Sequence, residues 1–234
     1  MKDYTLKYGK GSVTFALDEA HVTELYGTPV PKIDDIRAAL YATLGSPVSH
    51  EPLESWVNPE DKVALIVSDM SRFWMRQDLV VPHIISYLTD KCDVNQNNIT
   101  IIIANGTHPG GDENELRTLV TDGVYDRIRV VNHDCQAKDL VYIGTTSLGT
   151  EVRINPIAAN ADKVIMLGAC TYHVMAGYGG GRKSILPGIS GLETIRQNHL
   201  HSLDLLAPRS NPLIGNGVTD GNPLNEDMCQ AAAM

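Results

Sequence analysis

The sequence predicts an α/β fold: a mostly parallel, doubly wound sheet with helices on both faces, preceded by an N-terminal β-hairpin. Short apolar runs rich in β-branched residues recur along the chain, as is typical of buried parallel strands. Helical patterns of apolar residues lie between these runs, and this alternation favours a parallel sheet. Residues 4–17 differ, because they contain two strand-like runs around a Gly-Lys-Gly turn, which predicts a hairpin.

The remaining elements follow in chain order. The segment Ile33–Leu44 is predicted to be helical because its apolar residues recur at helical spacing. A last helix is expected to start at Pro223 or Asn225, and its early end favours a fragment of a longer protein. Further helices are predicted at 79–90 and 113–121, and strands at 62–69, 98–108, 127–134, 141–146 and 161–170.

Composition narrows the range of partners. Hydrophobic residues make up 43% of the 234 residues and charged residues 20%, as in an ordinary globular protein. The net charge of −9 argues against a nucleic acid or a membrane as partner, because both favour clustered Lys and Arg. The four cysteines form no C-x-x-C pair, so a structural zinc site is not expected. Without an apolar N-terminal leader, we expect a cytoplasmic protein.

Polar side chains follow the predicted strands where a doubly wound sheet binds its ligands. Two such segments end in His108 and His173, and together these histidines favour a site. Asp69 and Arg72 follow another strand, where they could form a local ion pair or Arg72 could bind a carboxylate. A further strand ends at His133, which we interpret as structural or supporting. The other histidines, apart from His199, are read as structural: His21, His50, His83 and His201.

A glycine-rich segment precedes two cations, Arg182 and Lys183. Backbone N–H groups beside cations are suited to binding a phosphate. The segment is neither a P-loop nor a G-x-G-x-x-G motif, because Arg182 stands where each pattern needs glycine. A flexible surface loop, a nucleotide-binding enzyme such as an NAD-dependent dehydrogenase, and a non-enzymatic anion-binding module remain alternatives. The glycines are Gly177, Gly179, Gly180 and Gly181.

Three motifs occur in the order found in one enzyme family. Ser68-Asp-Met-Ser-Arg72, Asn105-Gly-Thr-His-Pro109 and the stretch from His173 to His199 resemble the nickel-pincer-nucleotide-dependent lactate racemases. The resemblance covers essentially the whole chain. It implies an isomerase that racemises or epimerises a 2-hydroxy acid by proton-coupled hydride transfer. It also implies that residues 1–234 are the N-terminal, cofactor-binding domain of a two-domain enzyme, whose C-terminal domain lies outside this chain.

The resemblance also implies roles for individual residues. Lys183 would hold the cofactor, a pyridinium mononucleotide with thioamide and thiocarboxylate groups, and His199 would be the one protein ligand of its nickel. His108 and His173 would be the acid/base pair, since a neutral imidazole with a pKa of about 6.5 can accept or donate a proton near neutrality. Arg72 would position the substrate carboxylate, with Asp69 in support. The residues that would border the nucleotide are Ser71, Gly179, Gly180, Gly181 and Arg182.

Partners and substrate follow from the same resemblance. The expected partners are a small 2-hydroxy acid and the proteins that make the cofactor. The sequence leaves the acid open among lactate, malate, an aromatic 2-hydroxy acid and a sugar acid, because all four present the same carboxylate and hydroxyl.

Overall fold

The structure, a computed structural model, describes all residues 1–234 and divides into two compact units, Met1–Asp34 and Asp35–Met234. The helices are α1 (Ile36–Gly45), α2 (Leu53–Trp56), α3 (Val81–Asp90), α4 (Glu113–Val120), α5 (Asp122–Tyr125), α6 (Pro156–Ala159), α7 (Leu192–Leu200) and α8 (Pro223–Ala232). The strands are β1 (Lys2–Tyr8), β2 (Gly11–Leu17), β3 (Val63–Ser68), β4 (Ile99–Ala104), β5 (Arg129–Asn132), β6 (Val141–Thr145), β7 (Glu151–Ile154), β8 (Lys163–Met166), β9 (Tyr172–His173), β10 (Gly177–Tyr178), β11 (Leu203–Asp204) and β12 (Arg209–Ser210).

The first unit contains the predicted hairpin. Strands β1 and β2 pair antiparallel, with Tyr4 opposite Phe15 and Leu6 opposite Val13. Because side chains alternate across a strand, these apolar residues share one face of the hairpin. The Tyr4 and Phe15 rings stack with centroids 6.5 Å apart.

The second unit is built on a four-stranded parallel sheet in the order β5-β4-β3-β8. Alternate residues of β3 face opposite sides of the sheet. Leu65 and Val67 pack in one apolar core with α3 and α4, whereas Ala64 and Ile66 pack in a second core with α7 and α8. The predicted fold, with helices on both faces of a parallel sheet, is confirmed.

The strand predicted at 141–146 does not join this sheet. It forms β6 and pairs antiparallel with β7 in a separate ribbon. A parallel crossover needs about a dozen residues or more, and the connection from β5 to β6 is shorter than that. The turn at Gly149, with φ of +89°, instead lets the chain reverse locally.

Helix starts follow capping side chains. Asp35 caps α1, Asp112 caps α4 and Asn222 caps α8, each accepting a hydrogen bond from a backbone N–H of the first turn. Of the two predicted starts of the last helix, Pro223 is the observed one. None of the helices combines the length and apolar character needed to cross a bilayer.

Candidate active site

A cleft of about 440 Å³ opens at the carboxyl ends of β3, β4 and β8. This is the edge at which doubly wound sheets bind ligands. The residues following these strands, the glycine-rich segment and α7 all contribute to its wall. The structure therefore brings together most of the side chains singled out from the sequence: Asp69, Ser71, Arg72, His108, His173, Lys183 and His199.

Asp69 and His108 form a pair across the ends of β3 and β4. Asp69 is buried, and its Oδ2 lies 2.6 Å from His108 Nδ1. The second carboxylate oxygen accepts a hydrogen bond of 2.6 Å from Ser71 Oγ. An ionised Asp69 can only accept, so His108 Nδ1 carries the proton and Nε2 is left with a free lone pair. His108 is thus oriented as a base.

Arg72 is exposed and does not pair with Asp69. Its guanidinium hydrogen bonds reach only Ser71, at 3.1 Å to Oγ and 3.4 Å to the carbonyl oxygen. The local ion pair considered from the sequence is therefore absent, because His108 takes the carboxylate instead. The planar fork of Arg72 remains available for a carboxylate ligand.

The backbone of the residues that follow His173 holds its imidazole in place. The N–H groups of Met175 and Ala176 donate to Nδ1 at 3.2 and 3.1 Å, so a neutral His173 carries its proton on Nε2. Burial, reinforced by the positive charges of Lys183 and Arg72, lowers the pKa of His173 to about 4. The imidazole is neutral at physiological pH.

The amine of Lys183 lies 3.4 Å from His173 Nε2. Burial lowers the pKa of Lys183 to about 8, with further contributions from the charges of Arg182 and Arg72. An Nε2–H group can donate only to an uncharged amine, so this contact also favours the free base. A lysine with this pKa is uncharged in roughly a tenth of the molecules at pH 7, and the uncharged amine is nucleophilic.

His199 lies on α7 with one ring nitrogen engaged. Its Nδ1 donates to the Ile195 carbonyl at 2.8 Å, which leaves the Nε2 lone pair free. Burial and nearby Lys183 lower the pKa of His199, so the imidazole is neutral and able to bind a metal. No three His, Cys, Asp or Glu side chains come together as a metal-binding group.

The glycine-rich segment approaches the end of β8 closely. Gly180 has a φ of +74°, and a Cβ there would lie 2.9 Å from the Ala169 carbonyl oxygen. Gly179 and Gly180 line the cleft, whereas Gly181 and Arg182 do not. Glycine at 180 is therefore required both by backbone conformation and by space.

Arg182 forms its hydrogen bonds outside the cleft. Its Nε donates to Asn225 Oδ1, and its Nη2 donates to the carbonyls of Ala176 and Tyr178 at 2.8 and 3.2 Å. The guanidinium ties the glycine-rich loop to α8. Arg182 does not line the cleft, because Asn225 and the backbone carbonyls of the loop take its donors; its place beside a nucleotide stays a prediction.

The chain is similar in sequence to known proteins. A family model described as the lactate racemase N-terminal domain matches residues 8–209. The chain belongs to this family. Lactate racemases from Thermoanaerobacterium thermosaccharolyticum and Lactiplantibacillus plantarum are each 27% identical to it, over 99% and 97% of this chain. The chain spans 54% and 53% of those relatives, about half their length.

Solved structures give the same result for the fold. The lactate racemase apoprotein from Thermoanaerobacterium thermosaccharolyticum superimposes with a TM-score of 0.83 at 26% identity, over 99% of this chain and 53% of that one. A Thermotoga maritima protein matches with a TM-score of 0.63 at 20% identity, over 85% of this chain and 46% of its own. The second likeness concerns the fold alone.

Three residues that line the cleft were not singled out as site residues from the sequence. Trp74 and Tyr172 line it while remaining exposed, and their signal was an aromatic residue close behind a strand end. Asn105 is buried and lines the cleft, and its Oδ1 has no hydrogen-bond partner. A buried acceptor of this kind is suited to a ligand or water donor.

Two further histidines of the second unit, His133 and His201, do not line the cleft. His133 is buried, with Nε2 2.9 Å from the Ser190 carbonyl and Nδ1 3.4 Å from Asn155. It joins the end of β5 to the segment before α7, in line with the structural role given to it from the sequence. His201 lies 3.8 Å from the buried Asp227.

Proposed function

We propose that this chain is the cofactor-binding domain of a two-domain 2-hydroxy-acid racemase or epimerase. The reaction is proton-coupled hydride transfer with a nickel-pincer nucleotide held on Lys183. The observation that carries the proposal is the convergence of two histidines, His108 and His173, with Lys183 and His199 in one cleft. The half-length match to lactate racemases supports the assignment to one domain.

The residues present fit such a group. Lys183 supplies a buried amine of lowered pKa for covalent attachment, and His199 supplies a free Nε2 as a metal ligand. A single protein ligand suits a metal whose other ligands come from an organic group. The cleft volume lies within the range of small-molecule and cofactor sites, about 300–1,000 Å³. When bound, the nucleotide supplies the hydride acceptor that no side chain can provide.

The chain's own residues bind the substrate carboxylate and transfer the protons. Arg72 binds the substrate carboxylate through its fork. His108 accepts the hydroxyl proton at Nε2, and Asp69 stabilises the resulting imidazolium through Nδ1–H. When the opposite enantiomer forms, His173 in its imidazolium form, which takes its extra proton from solvent, gives a proton to the keto oxygen and returns to the neutral imidazole; the reverse reaction exchanges the roles of the two histidines.

Attachment at Lys183 also tunes His173. Conversion of the amine to an amide-type nitrogen removes the cation beside the imidazole. Loss of this one cation acts to raise the pKa of His173 from about 4, whereas the positive charges of nickel and the pyridinium ring would act to lower it.

The test is the intact mass of the chain produced together with the proteins that make the cofactor. We expect one nucleotide adduct, absent from Lys183→Ala and retained in Lys91→Ala, a surface lysine outside the cleft. An adduct that persists in Lys183→Ala would contradict the attachment site. Chiral chromatography of both lactate enantiomers, with the longer protein, then tests racemisation.

A further inference from the structure

The turn between β9 and β10 binds the imidazole of His173 from behind the cleft. The N–H groups of Met175 and Ala176, which donate to Nδ1 at 3.2 and 3.1 Å, both belong to this turn. In a neutral imidazole, Nδ1 can accept them only while the proton is on Nε2. The position of the turn therefore decides which ring nitrogen of His173 is protonated.

Asn222 binds the opposite end of one of these peptide groups. Its Nδ2 donates to the Met175 carbonyl at 2.8 Å. That carbonyl and the Ala176 N–H are parts of the same peptide group, which is planar and rigid. A chain of hydrogen bonds thus runs from Asn222 through one peptide group to His173, and successive bonds in such a chain strengthen each other.

Asn222 is itself firmly held. It is buried, it caps α8 by accepting the Asn225 N–H at 3.1 Å, and its Nδ2 also donates to the Val218 carbonyl at 2.9 Å. The loop containing Val218 packs so closely that a Cβ at Gly177 would lie 2.3 Å from the Val218 oxygen. The start of α8 is therefore a fixed base from which Asn222 reaches the turn.

Arg182 holds the next peptide group of the turn. Its Nη2 donates to the Ala176 carbonyl at 2.8 Å, and its Nε donates to Asn225. The following residue, Lys183, places its amine 3.4 Å from His173 Nε2. One guanidinium thus links the turn that binds Nδ1 to the loop that brings Lys183 to Nε2.

We infer that Asn222 and Arg182 are positioning residues for His173. By holding the Met175–Ala176 turn, they keep Nδ1 of the neutral imidazole unprotonated and direct Nε2–H toward Lys183. Neither Asn222 nor Arg182 lines the cleft, so these bonds are made within this chain and do not depend on what covers the cleft. The inference rests on the proposed function, in which His173 belongs to the acid/base pair.

The experiment is ¹⁵N NMR of the His173 ring nitrogens at neutral pH in the cofactor-free chain, where a His173→Gln variant identifies its signals. We expect the wild type to be almost entirely Nε2–H. Asn222→Ser keeps an oxygen that caps α8 but removes the donor to Met175. It should lower the ratio of Nε2–H to Nδ1–H about fivefold, as expected for one hydrogen bond. Arg182→Met, which removes the donor to Ala176, should lower it similarly, and the double variant should lower it further.

Met228→Ala is the matched control. Met228 is a buried apolar residue of the same helix, so its truncation destabilises the fold without removing any of these hydrogen bonds. It should leave the tautomer ratio unchanged, while urea denaturation compares the destabilisation of all variants. A wild-type ratio in both Asn222→Ser and Arg182→Met would overturn the inference, as would an equal shift in Met228→Ala.

A second measurement separates this inference from the proposed function. In the longer protein, Asn222→Ser should keep the adduct on Lys183 and lower kcat several-fold with little change in KM, because the orientation of an acid/base group acts on the chemical step. An unchanged kcat would overturn the positioning role. Absence of an adduct from the wild type would instead contradict the proposed function, and the tautomer result, obtained without cofactor or substrate, would still stand.

Discussion

Replacing Lys183 by Met should stabilise the cofactor-free chain at neutral pH. Methionine has a similar length and no charge to desolvate. A fall of the Lys183 pKa from 10.5 to about 8 corresponds to about 3 kcal/mol, at about 1.4 kcal/mol per pKa unit. The long contact with His173 Nε2, at 3.4 Å, is lost in the variant and offsets about 1 kcal/mol at most. The expected net gain is about 2–3 kcal/mol.

The pH dependence of this gain has a defined sign. Folding weakens proton binding at Lys183, so the unfolded chain holds more protons between pH 8 and 10.5. The free energy of unfolding of the wild type therefore rises with pH in that window relative to the variant. The gain is full below pH 8 and disappears as pH approaches 10.5.

Urea denaturation of both proteins at pH 7, 9 and 10.5 measures this difference. Groups that titrate in both proteins cancel in the comparison. Lys91→Met, at an exposed position, should change the free energy of unfolding by less than about 0.5 kcal/mol throughout. A Lys183→Met chain that is less stable than wild type at pH 7, or a gain that does not depend on pH, would refute the desolvation argument.

Further predictions concern the histidines. NMR titration should give His173 a higher pKa in Lys183→Met than its wild-type value of about 4, because a neighbouring cation is gone; an unchanged value would mean that Lys183 does not contribute to the lowered pKa. His199→Ala should keep the adduct on Lys183 and lose most nickel by elemental analysis, whereas His201→Ala, two residues on, should keep both; the reverse result would exchange their roles. In the longer protein, His108→Ala should slow racemisation about 10²–10⁴-fold in both directions, and a loss below tenfold by chiral chromatography would exclude it as a base.

Local pattern was sufficient to predict the central sheet. The runs that became β3 and β4 are apolar on both faces, and only a layer buried on both sides accepts such strands. The ends of these strands located Asp69 and His108 in advance, because parallel strands deliver their carboxyl ends to one edge. The apolar pattern of β6 does not specify its partner strand, but the short connection from β5 excludes a parallel crossover into the central sheet.

The sequence pattern also could not predict the directions in which the side chains of the glycine-rich loop point. Arg182 and Lys183 are adjacent cations in the sequence, but only Lys183 faces the cleft. The hydrogen bond to Asn225 that turns Arg182 away spans 43 positions. Trp74 was likewise missed, because an aromatic residue behind an apolar strand resembles ordinary core until its exposure is known.

Because Arg182 and Lys183 lie in different surroundings, their order in the sequence matters. A chain with Lys at 182 and Arg at 183 would have the same composition and charge, yet it would present a permanently protonated guanidinium to the cleft. Guanidinium does not become a free base in proteins, so the cofactor attachment proposed for Lys183 could not take place there. An ammonium on the reverse side would lack the planar fork that reaches Asn225 and two carbonyls at once. Inverting a single dipeptide would thus remove a nucleophile and loosen the loop that carries it.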